Sequence, residues 1–284
     1  MSTDTGALRI GEFARRVGVS PELLRAWERR YGLLQPIRSE GGFRLYTGED
    51  ADRVERMKRA LDDGLSAAQA ARLALTPARP TEGALEHART RLLAAAHDYD
   101  EAAVHSVLDE ALAGFALETV LRELILPALR EIGDEWERGE LEIGQEHFAT
   151  TLIRERLLAL SRYWSRGGGQ LAILACAPRE LHDIGLIAFG LVLRSHGWRI
   201  FYLGANTPVE TLAEASRALK SQLVVVAGMD GALLEAVGGE LRRLARSTRL
   251  VLSGAGATEE LCKRLRVDRL DGDLVSAAEA VARG

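Results

Sequence analysis

The most constraining feature of the sequence is a series of four short apolar runs between residues 171 and 257. The runs are LAILACA, RIFYLGA, LVVVAG and RLVLSGAGA, and segments with a helical pattern separate them. Strands that alternate with helices form a parallel sheet with helices on both faces. The sequence therefore predicts a doubly wound parallel sheet over residues 167–284.

A sheet of this kind binds ligands in the loops beyond the carboxyl ends of its strands. Those loops are PRELHDIG, LGANTP, AGMDG and SGAGA. None contains a GxGxxG motif that opens a helix, so a nicotinamide or flavin dinucleotide site is poorly supported.

Residues 77–166 form a second predicted domain, a four-helix bundle. A proline-bearing stretch, LTPARPTEG, precedes four segments with apolar residues three and four positions apart. Trp136 lies near the end of the third helix, Gly139 breaks that helix, and Glu146 and His147 follow in the first turns of the fourth. This spacing predicts that an aromatic ring, a carboxylate and an imidazole share one end of a helix pair. They either line a ligand site, or the tryptophan packs in the bundle while the polar pair is solvated.

Residues 1–76 have the pattern of a winged helix-turn-helix. Two helical segments meet at Gly18, and Ser20 and Pro21 are suited to begin the second. The stretch LLQPIRSEGGFRLYTGED predicts a hairpin wing, with Thr47 capping a further helix. Residues 9–46 contain eight arginines and four glutamates and therefore have a net charge of +4. Because the net charge of the whole chain is −4, the remaining residues carry a net charge of −8. A basic module is thus attached to an acidic body.

Composition limits the remaining classes of function. The 284 residues suggest two or three domains, and 47% hydrophobic with 27% charged residues is typical of a globular protein. No apolar run reaches the ~18 residues of a membrane helix and no signal peptide is evident, so we expect a cytoplasmic protein without a membrane partner. Cys176 and Cys262 lack metal-ligand spacing and are expected to be reduced core thiols.

The N-terminal segment IGEFARRVGVSPELLRAWERRYGLLQPIRSEGGFRLYTGEDADRV closely resembles the DNA-binding domain of the MerR family of transcription regulators. The resemblance implies that the second helix enters the major groove of double-stranded DNA while the wing contacts the flanking backbone. Trp27 is expected in the core, and a competing interpretation pairs Arg25 and Arg29 with Glu22 and Glu28 on a solvated helix face. The candidate DNA-binding residues are Arg16, Arg25, Arg29, Arg30, Arg38, Arg44 and Tyr46.

The loop segment ELHDIG resembles the signature of the cobalamin-binding module of methyltransferases and mutases, an acidic residue, then histidine, then glycine. The resemblance implies that His182 is the lower cobalt ligand, that Glu180 bonds its other nitrogen, and that Gly185 lets the nucleotide tail pass. An imidazole with a carboxylate behind it is chemically suited to this role. The other candidate contacts in the loops are Gly204, Met229, Gly254 and Gly256.

The whole order of domains resembles the CarH and CarA photoreceptor repressors, whose helical cap covers the upper face of cobalamin. The resemblance implies that Trp136, Glu146 and His147 surround the 5'-deoxyadenosyl group of adenosylcobalamin. It also implies that the protein assembles with itself in darkness, as dimers or a tetramer, and holds operator DNA at several points. Light then breaks the cobalt–carbon bond and releases the DNA.

The sequence departs from the CarH-type pattern at three places. Glu137 replaces the histidine that becomes the upper ligand after illumination, Ala227-Gly228-Met229 replaces a Ser-x-Leu loop, and Gly254-Ala255-Gly256 replaces paired glycines. His87, His97 and His105 lie on earlier bundle helices and are expected to be exposed.

These departures leave other hypotheses open. The same repressor architecture could bind another tetrapyrrole or no cofactor. A corrinoid-dependent enzyme or methyl carrier is less consistent with the sequence, because the chain has no room for the ~250-residue barrel that supplies such chemistry.

Overall fold

A computed structural model of the chain describes residues 8–38, 42–62, 64–75, 83–270 and 272–283. The chain divides into two compact units, residues 1–81 and 82–284. The predicted boundary after residue 76 lies outside the described residues.

The N-terminal unit is a helix-turn-helix followed by a hairpin wing and two further helices. A three-stranded antiparallel sheet has the order β1-β3-β2, with Arg38 paired to Arg44 across the hairpin. The elements are β1 (Leu8–Arg9), α1 (Ile10–Val17), α2 (Pro21–Tyr31), β2 (Ile37–Arg38), β3 (Arg44–Tyr46), α3 (Gly48–Asp62) and α4 (Ala67–Leu75).

Local sequence signals place the boundaries of α1 and α2. Gly18 ends α1 in the left-handed conformation with φ of 64°, where a side chain would be strained. The Ser20 hydroxyl accepts a hydrogen bond from the Leu23 amide at 3.3 Å, and Pro21 occupies the first helical position. The predicted start of the second helix is confirmed. Trp27 is buried in the core of this unit, also as predicted.

The second unit begins with four helical segments, and one of them contains a π-helical turn. In the third segment the Leu126 amide donates to the Leu121 carbonyl, five residues back, and Pro127 follows directly. The wider turn precedes a proline that would otherwise disrupt the helix. The segments are α5 (Ala84–His97), α6 (Glu101–Gly114), α7 (Leu117–Val120) continued by the π-turn (Leu121–Ile125) and α8 (Leu126–Glu137), and α9 (Ile143–Leu160).

A five-stranded parallel sheet of order β5-β4-β6-β7-β8 completes the second unit, with helices on both faces. The doubly wound sheet is confirmed, while the short β8 and its flanking helices extend the predicted pattern. The elements are β4 (Leu171–Cys176), α10 (Ile184–Ser195), β5 (Arg199–Gly204), α11 (Val209–Leu219), β6 (Leu223–Ala227), α12 (Gly231–Ala236), α13 (Gly238–Leu244), β7 (Arg249–Ser253), α14 (Glu259–Leu265), β8 (Asp268–Arg269) and α15 (Leu274–Arg283).

The bundle and the sheet share one hydrophobic core. Side chains alternate along β4, so that Leu174 and Cys176 face α10, α15 and the bundle, while Ile173 and Ala175 face the opposite layer. Residues 77–166 and 167–284, predicted as separate domains, therefore pack as one unit within its described part.

The strand order fixes the position of the ligand loops. The chain leaves β4 toward β5 on one side and returns to β6 on the other, so the loops after β4 and β6 diverge above neighbouring strands. This is the switch point where sheets of this kind bind ligands.

Candidate cofactor site and DNA-binding surface

The loop after β4 holds a buried carboxylate against an exposed imidazole. Glu180 is 3% exposed, and its Oε1 accepts hydrogen bonds from the His182 amide at 2.9 Å and from His182 Nδ1 at 2.6 Å. Oε2 accepts the Met229 amide at 2.6 Å. The His182 side chain is 80% exposed. The structure thus brings together three of the predicted cofactor residues.

The Glu180 carboxylate holds Nδ1 of His182 and leaves the other ring nitrogen, Nε2, facing away from it. Burial raises the pKa of Glu180, but hydrogen bonds from the His182 and Met229 amides and from the imidazole outweigh it, so the pKa lies below its ordinary value. An ionised carboxylate at Nδ1 fixes the proton there. Nε2 of His182 makes no hydrogen bond to another described residue and is available as a donor to a metal.

A second buried carboxylate, Asp183, follows directly and was missed by the sequence analysis. It is 2% exposed, and Arg154 of α9 contacts it through two nitrogens, Nε to Oδ1 at 2.8 Å and Nη2 to Oδ2 at 2.6 Å. The hydroxyl of Tyr202, on β5, also donates to Oδ2. The sequence signal for this residue was its place between His182 and the start of α10.

These contacts tie the bundle to the ligand loop. Burial raises the pKa of Asp183, but the hydrogen bonds from Arg154 and Tyr202 outweigh it and hold the pKa below its ordinary value. The pKa of Tyr202 is raised, by burial and by the neighbouring carboxylate. Asp183 is therefore an ionised anchor between α9, β5 and the loop that carries His182.

The predicted glycines in the other loops are constrained by the protein itself. Gly254 has φ of 90°, and a Cβ there would lie 2.5 Å from the Gly228 carbonyl oxygen. A Cβ on Gly256 would lie 2.5 Å from the Asp230 carbonyl carbon. The close approach at both positions is therefore made by the loop after β6, which explains the need for glycine without reference to a ligand.

The other three predicted loop residues, Gly204, Gly185 and Met229, differ in their surroundings. Gly204 has φ of 84°, which a side chain rarely adopts. A Cβ on Gly185 would lie 3.0 Å from a methyl group of Leu274, so this glycine allows α10 and α15 to approach. Met229 is 51% exposed at the carboxyl end of β6.

Trp136, Glu146 and His147 lie at one end of the α8–α9 pair. Trp136 is in the last turn of α8 and 46% exposed, while Glu146 and His147 are in the first turns of α9. The turn between these helices is short, as predicted. The Glu146 carboxylate bonds Nδ1 of His147, whose side chain is 71% exposed.

Hydrogen bonds from α5 hold this end of the bundle in place. His97 bonds the Glu135 carboxylate at 2.9 Å, and the Gln145 side chain donates to the His97 carbonyl at 2.6 Å. His97 was expected to be exposed, but it is half-buried because it packs between the ends of α8 and α9. His87 is exposed as expected, and His105 is half-buried near Glu101.

The geometry of α9 relates the two groups of residues. His147 precedes Arg154 by seven residues, so the two lie on the same face of the helix about 10 Å apart along its axis. Since Arg154 contacts Asp183, the face of α9 that carries His147 is the face directed toward the ligand loop.

The N-terminal unit presents exposed arginines on α2 and on the wing. Arg25 and Arg29 make no ion pair with Glu22 or Glu28 among the described residues, contrary to the solvated-face alternative. Glu28 instead contacts Arg44 of the wing at 3.1 Å. The exposed candidates are Arg16, Arg25, Arg29, Arg30, Arg38 and Arg44.

Tyr46, in contrast, is not a surface residue, and its predicted contact with DNA is wrong for this structure. It is fully buried, its ring stacks on Phe13 at 4.9 Å, and its hydroxyl donates to Glu28 at 3.0 Å. Burial, followed by the bond to Glu28, raises its pKa to about 12. Phe43, which the sequence analysis did not single out, is 56% exposed on the wing, with the Arg9 guanidinium 4.6 Å from its ring centre.

Comparisons with known proteins give matches for both the winged helix and the helical bundle. A model of the MerR HTH family regulatory proteins matches residues 8–76, and a model of the B12 binding domain matches residues 88–161, which form the helical bundle. No described helix is long and apolar enough to cross a membrane.

Two relatives from Myxococcus xanthus match over most of their length. The HTH-type transcriptional repressor CarH is 34% identical over 93% of this chain and 95% of its own. The HTH-type transcriptional repressor CarA is 33% identical over 89% of this chain and 88% of its own. The monomethylamine corrinoid protein of Methanosarcina barkeri has the same fold as 70% of this chain, with a TM-score of 0.59, 20% identity and 98% of its own chain covered.

The winged helix, the B12 binding domain and the parallel sheet define a transcription regulator rather than an enzyme. The chain belongs to the family of MerR-type transcriptional repressors that includes CarH and CarA.

Proposed function

We propose that this repressor binds adenosylcobalamin through His182, assembles with itself on DNA in darkness, and releases the DNA after illumination. The observation that carries the proposal is the Glu180–His182 pair, in which a buried carboxylate holds Nδ1 and leaves Nε2 of an exposed ring free.

The residues fit the lower side of a corrinoid. A corrin ring would supply nitrogen ligands to its own cobalt, so the protein would need to provide a single donor rather than a cluster. The described residues contain no group of three or more histidine, cysteine, aspartate or glutamate side chains able to hold a bare metal ion. A single imidazole backed by a carboxylate is the donor set that an already chelated cobalt requires.

Residues of the bundle would form the opposite wall. Trp136 offers an exposed aromatic surface, and Glu146 and His147 offer a hydrogen-bonded polar pair on the face of α9 that is directed toward the ligand loop. When bound, adenosylcobalamin supplies a cobalt–carbon bond that visible light breaks. The Arg154–Asp183 contact would make the position of α9 depend on the loop that carries His182.

Exposed arginines support the DNA-binding part of the proposal. Arginine grips phosphate and guanine edges through two parallel hydrogen bonds. One unit with few such contacts binds weakly, but several units joined in one assembly bind together with much higher affinity. Loss of assembly therefore suffices to release the DNA.

The test follows cofactor, assembly and DNA in the same sample. The full chain is incubated with adenosylcobalamin in darkness, desalted, and analysed by absorption spectroscopy and size-exclusion chromatography, before and after green light. Duplexes enriched from a random pool by the dark protein serve as the DNA probe. We expect a retained corrinoid spectrum, a larger dark species, and DNA release on illumination.

Two variants sharpen this test. His182→Ala should retain no corrinoid, whereas His87→Ala, which removes an exposed histidine from the bundle, should behave as the unaltered protein. Failure of the unaltered chain to retain corrinoid would refute the cofactor proposal. Retention with an assembly that ignores light would refute only the light response.

A further inference from the structure

Basic side chains gather along the amino-terminal edge of the parallel sheet, at the opposite end of the strands from the ligand loops. The helices that connect parallel strands run back along the sheet, so the ends of α11, α13 and α14 and the turns after them all lie at this edge. These turns are neighbours, since the Thr248 hydroxyl before β7 donates to the Ser221 carbonyl before β6 at 3.4 Å. We call the following exposed residues the basic edge: Arg217, Lys220, Arg242, Arg243, Arg246 and Arg266.

The charges of the basic edge are not neutralised by carboxylates of the described chain. The six side chains make no hydrogen bond or ion pair with another described residue. Two nearby cations that do have such partners, Lys263 with Glu259 and Arg264 with Glu235, are not counted in it. The segment RRLARSTR, residues 242–249, has four arginines and no acidic residue. This edge of the sheet therefore presents unpaired positive charge to the solvent.

The helix dipole accounts for only part of this arrangement. Cations in the last turn of a helix interact favourably with its negative end, and Arg217, Arg242 and Arg243 lie in such turns. The effect falls off within the last turn. Arg246 lies in the turn between α13 and β7, so its charge does not serve a helix end.

The charge of the whole unit sets this edge apart. Residues 82–284 contain 23 lysines and arginines against 30 aspartates and glutamates, a net charge of −7. The phosphates of DNA repel a body with this charge. In the same layer of helices, acidic residues lie in the first turns, toward the ligand loops: Glu210, Glu240 and Glu259. The amino-terminal edge is therefore the side of this layer with which the unit can approach DNA favourably.

The size and chemistry of the basic edge suit the backbone of duplex DNA. α11 packs beside α13, and α13 beside α14. Packed helices lie about 8–10 Å apart, so the edge extends across about 20 Å. That length corresponds to about six base pairs along the duplex axis. Five of the six residues are arginines, and a guanidinium binds phosphate through two parallel hydrogen bonds.

We propose that the basic edge is a second contact surface for double-stranded DNA, which binds the phosphate backbone independently of sequence and adds to the contacts of the winged helix. Phosphate contacts of this kind hold a protein on DNA without reading its bases. DNA at this edge leaves the ligand loops open, because they lie at the other end of the strands. The inference rests on the DNA-binding part of the proposed function and is independent of the cofactor.

The experiment compares two double variants that lose the same charge. Arg243→Gln with Arg246→Gln removes two charges from the basic edge, and Arg130→Gln with Arg138→Gln removes two exposed charges from the bundle. Each full-length protein, in darkness with adenosylcobalamin added, is titrated into two long labelled duplexes. One carries the sequence enriched from the random pool at its centre, and the other has that sequence scrambled. Fluorescence anisotropy gives the dissociation constants at several salt concentrations.

The basic-edge variant should depend less on salt than the unaltered protein. Each phosphate contact contributes about 0.9 to the slope of log affinity against log salt concentration, so the slope should fall by about 2. Affinity for the enriched and scrambled duplexes should fall by the same factor, which leaves their ratio unchanged. The bundle variant should keep the slope of the unaltered protein. Both side chains of the basic-edge variant are exposed and unpaired, so its unfolding temperature should not change, and Arg246→Gln alone should lower the slope by about 1.

Several results would overturn the inference while leaving the winged helix as the DNA-binding surface. They are an unchanged slope in the basic-edge variant, an equal fall in both variants, or a change in the ratio between the two duplexes. An unchanged slope together with a smaller assembled species in size-exclusion chromatography without DNA would assign the edge to contact with another copy of the chain. If the unaltered protein binds neither duplex, the DNA-binding part of the proposed function fails as well.

Discussion

The contact between Arg154 and Asp183 yields a quantitative prediction. Arg154→Met removes the guanidinium and leaves a carboxylate that is 2% exposed with the Tyr202 hydroxyl as its remaining side-chain partner. Removing one partner of a fully buried ion pair costs about 3–5 kcal/mol. The Arg154 side chain is 41% exposed, so solvent screens the pair and we expect a loss of about 2 kcal/mol in the free energy of unfolding.

Arg91→Met is a matched control on α5. Arg91 also contacts a carboxylate through two nitrogens, at 2.7 and 3.1 Å, but its partner Glu110 is 56% exposed. An exposed pair of this kind contributes about 0–1 kcal/mol. The two variants therefore separate the effect of burial from the effect of removing a bidentate arginine.

The assay is urea denaturation of the full chain followed by circular dichroism, repeated at several pH values. The pKa of Asp183 lies below its ordinary value in the folded protein. Its contribution to stability is therefore full above the unfolded pKa of about 3.9 and is lost as the pH falls through the folded pKa. Arg154→Met should lose much of this acid-side dependence. A loss no larger than that of Arg91→Met at pH 7 would refute the reasoning.

Three further predictions concern the remaining residues. Arg25→Ala should weaken DNA binding, measured by fluorescence anisotropy of a labelled duplex, and leave the corrinoid spectrum unchanged; an altered spectrum would contradict this. Trp136→Ala should alter dark assembly, measured by size-exclusion chromatography, more than corrinoid affinity; unchanged dark assembly would count against its place in the upper wall. Tyr46→Phe should lower the unfolding free energy by about 1 kcal/mol through loss of the bond to Glu28, with little change in DNA affinity. A large loss of DNA affinity in the folded Phe variant would restore a direct role for this hydroxyl.

The elements that sequence predicts best here are those with local causes. Ser20, Pro21 and Gly18 mark helix ends by hydrogen-bonding capacity and backbone freedom, and these effects act within a few residues. The alternation of side chains between the two faces of each strand in residues 171–253 is equally local, since residues two apart in a strand share a face. The Glu180–His182 pair was expected from the resemblance of the loop segment ELHDIG to the cobalamin-binding signature, and its two members are only two residues apart.

The parts that sequence does not predict are contacts between distant elements. Arg154 and Asp183 are 29 residues apart and sit in different predicted domains, and no periodicity links them. Tyr46 has the composition of a DNA contact but stacks on Phe13, because the wing folds back against α1. His97 similarly gains a partner in Glu135 only once the bundle closes. Whether a polar side chain becomes buried depends on contacts between elements that are far apart in the sequence.

The π-turn at Leu121–Ile125 has a consequence for how this protein tolerates insertions and deletions. A π-turn accommodates one residue more than an α-helical turn, so it acts as a phase adjustment in the helix that leads to Trp136. Deleting a single residue from it would give a regular helix and leave Trp136 on nearly the same side of the axis, whereas deleting a residue from α8 would rotate Trp136 by about 100°. The π-turn is therefore the one place along this described helix where the loss of a residue preserves the direction of Trp136.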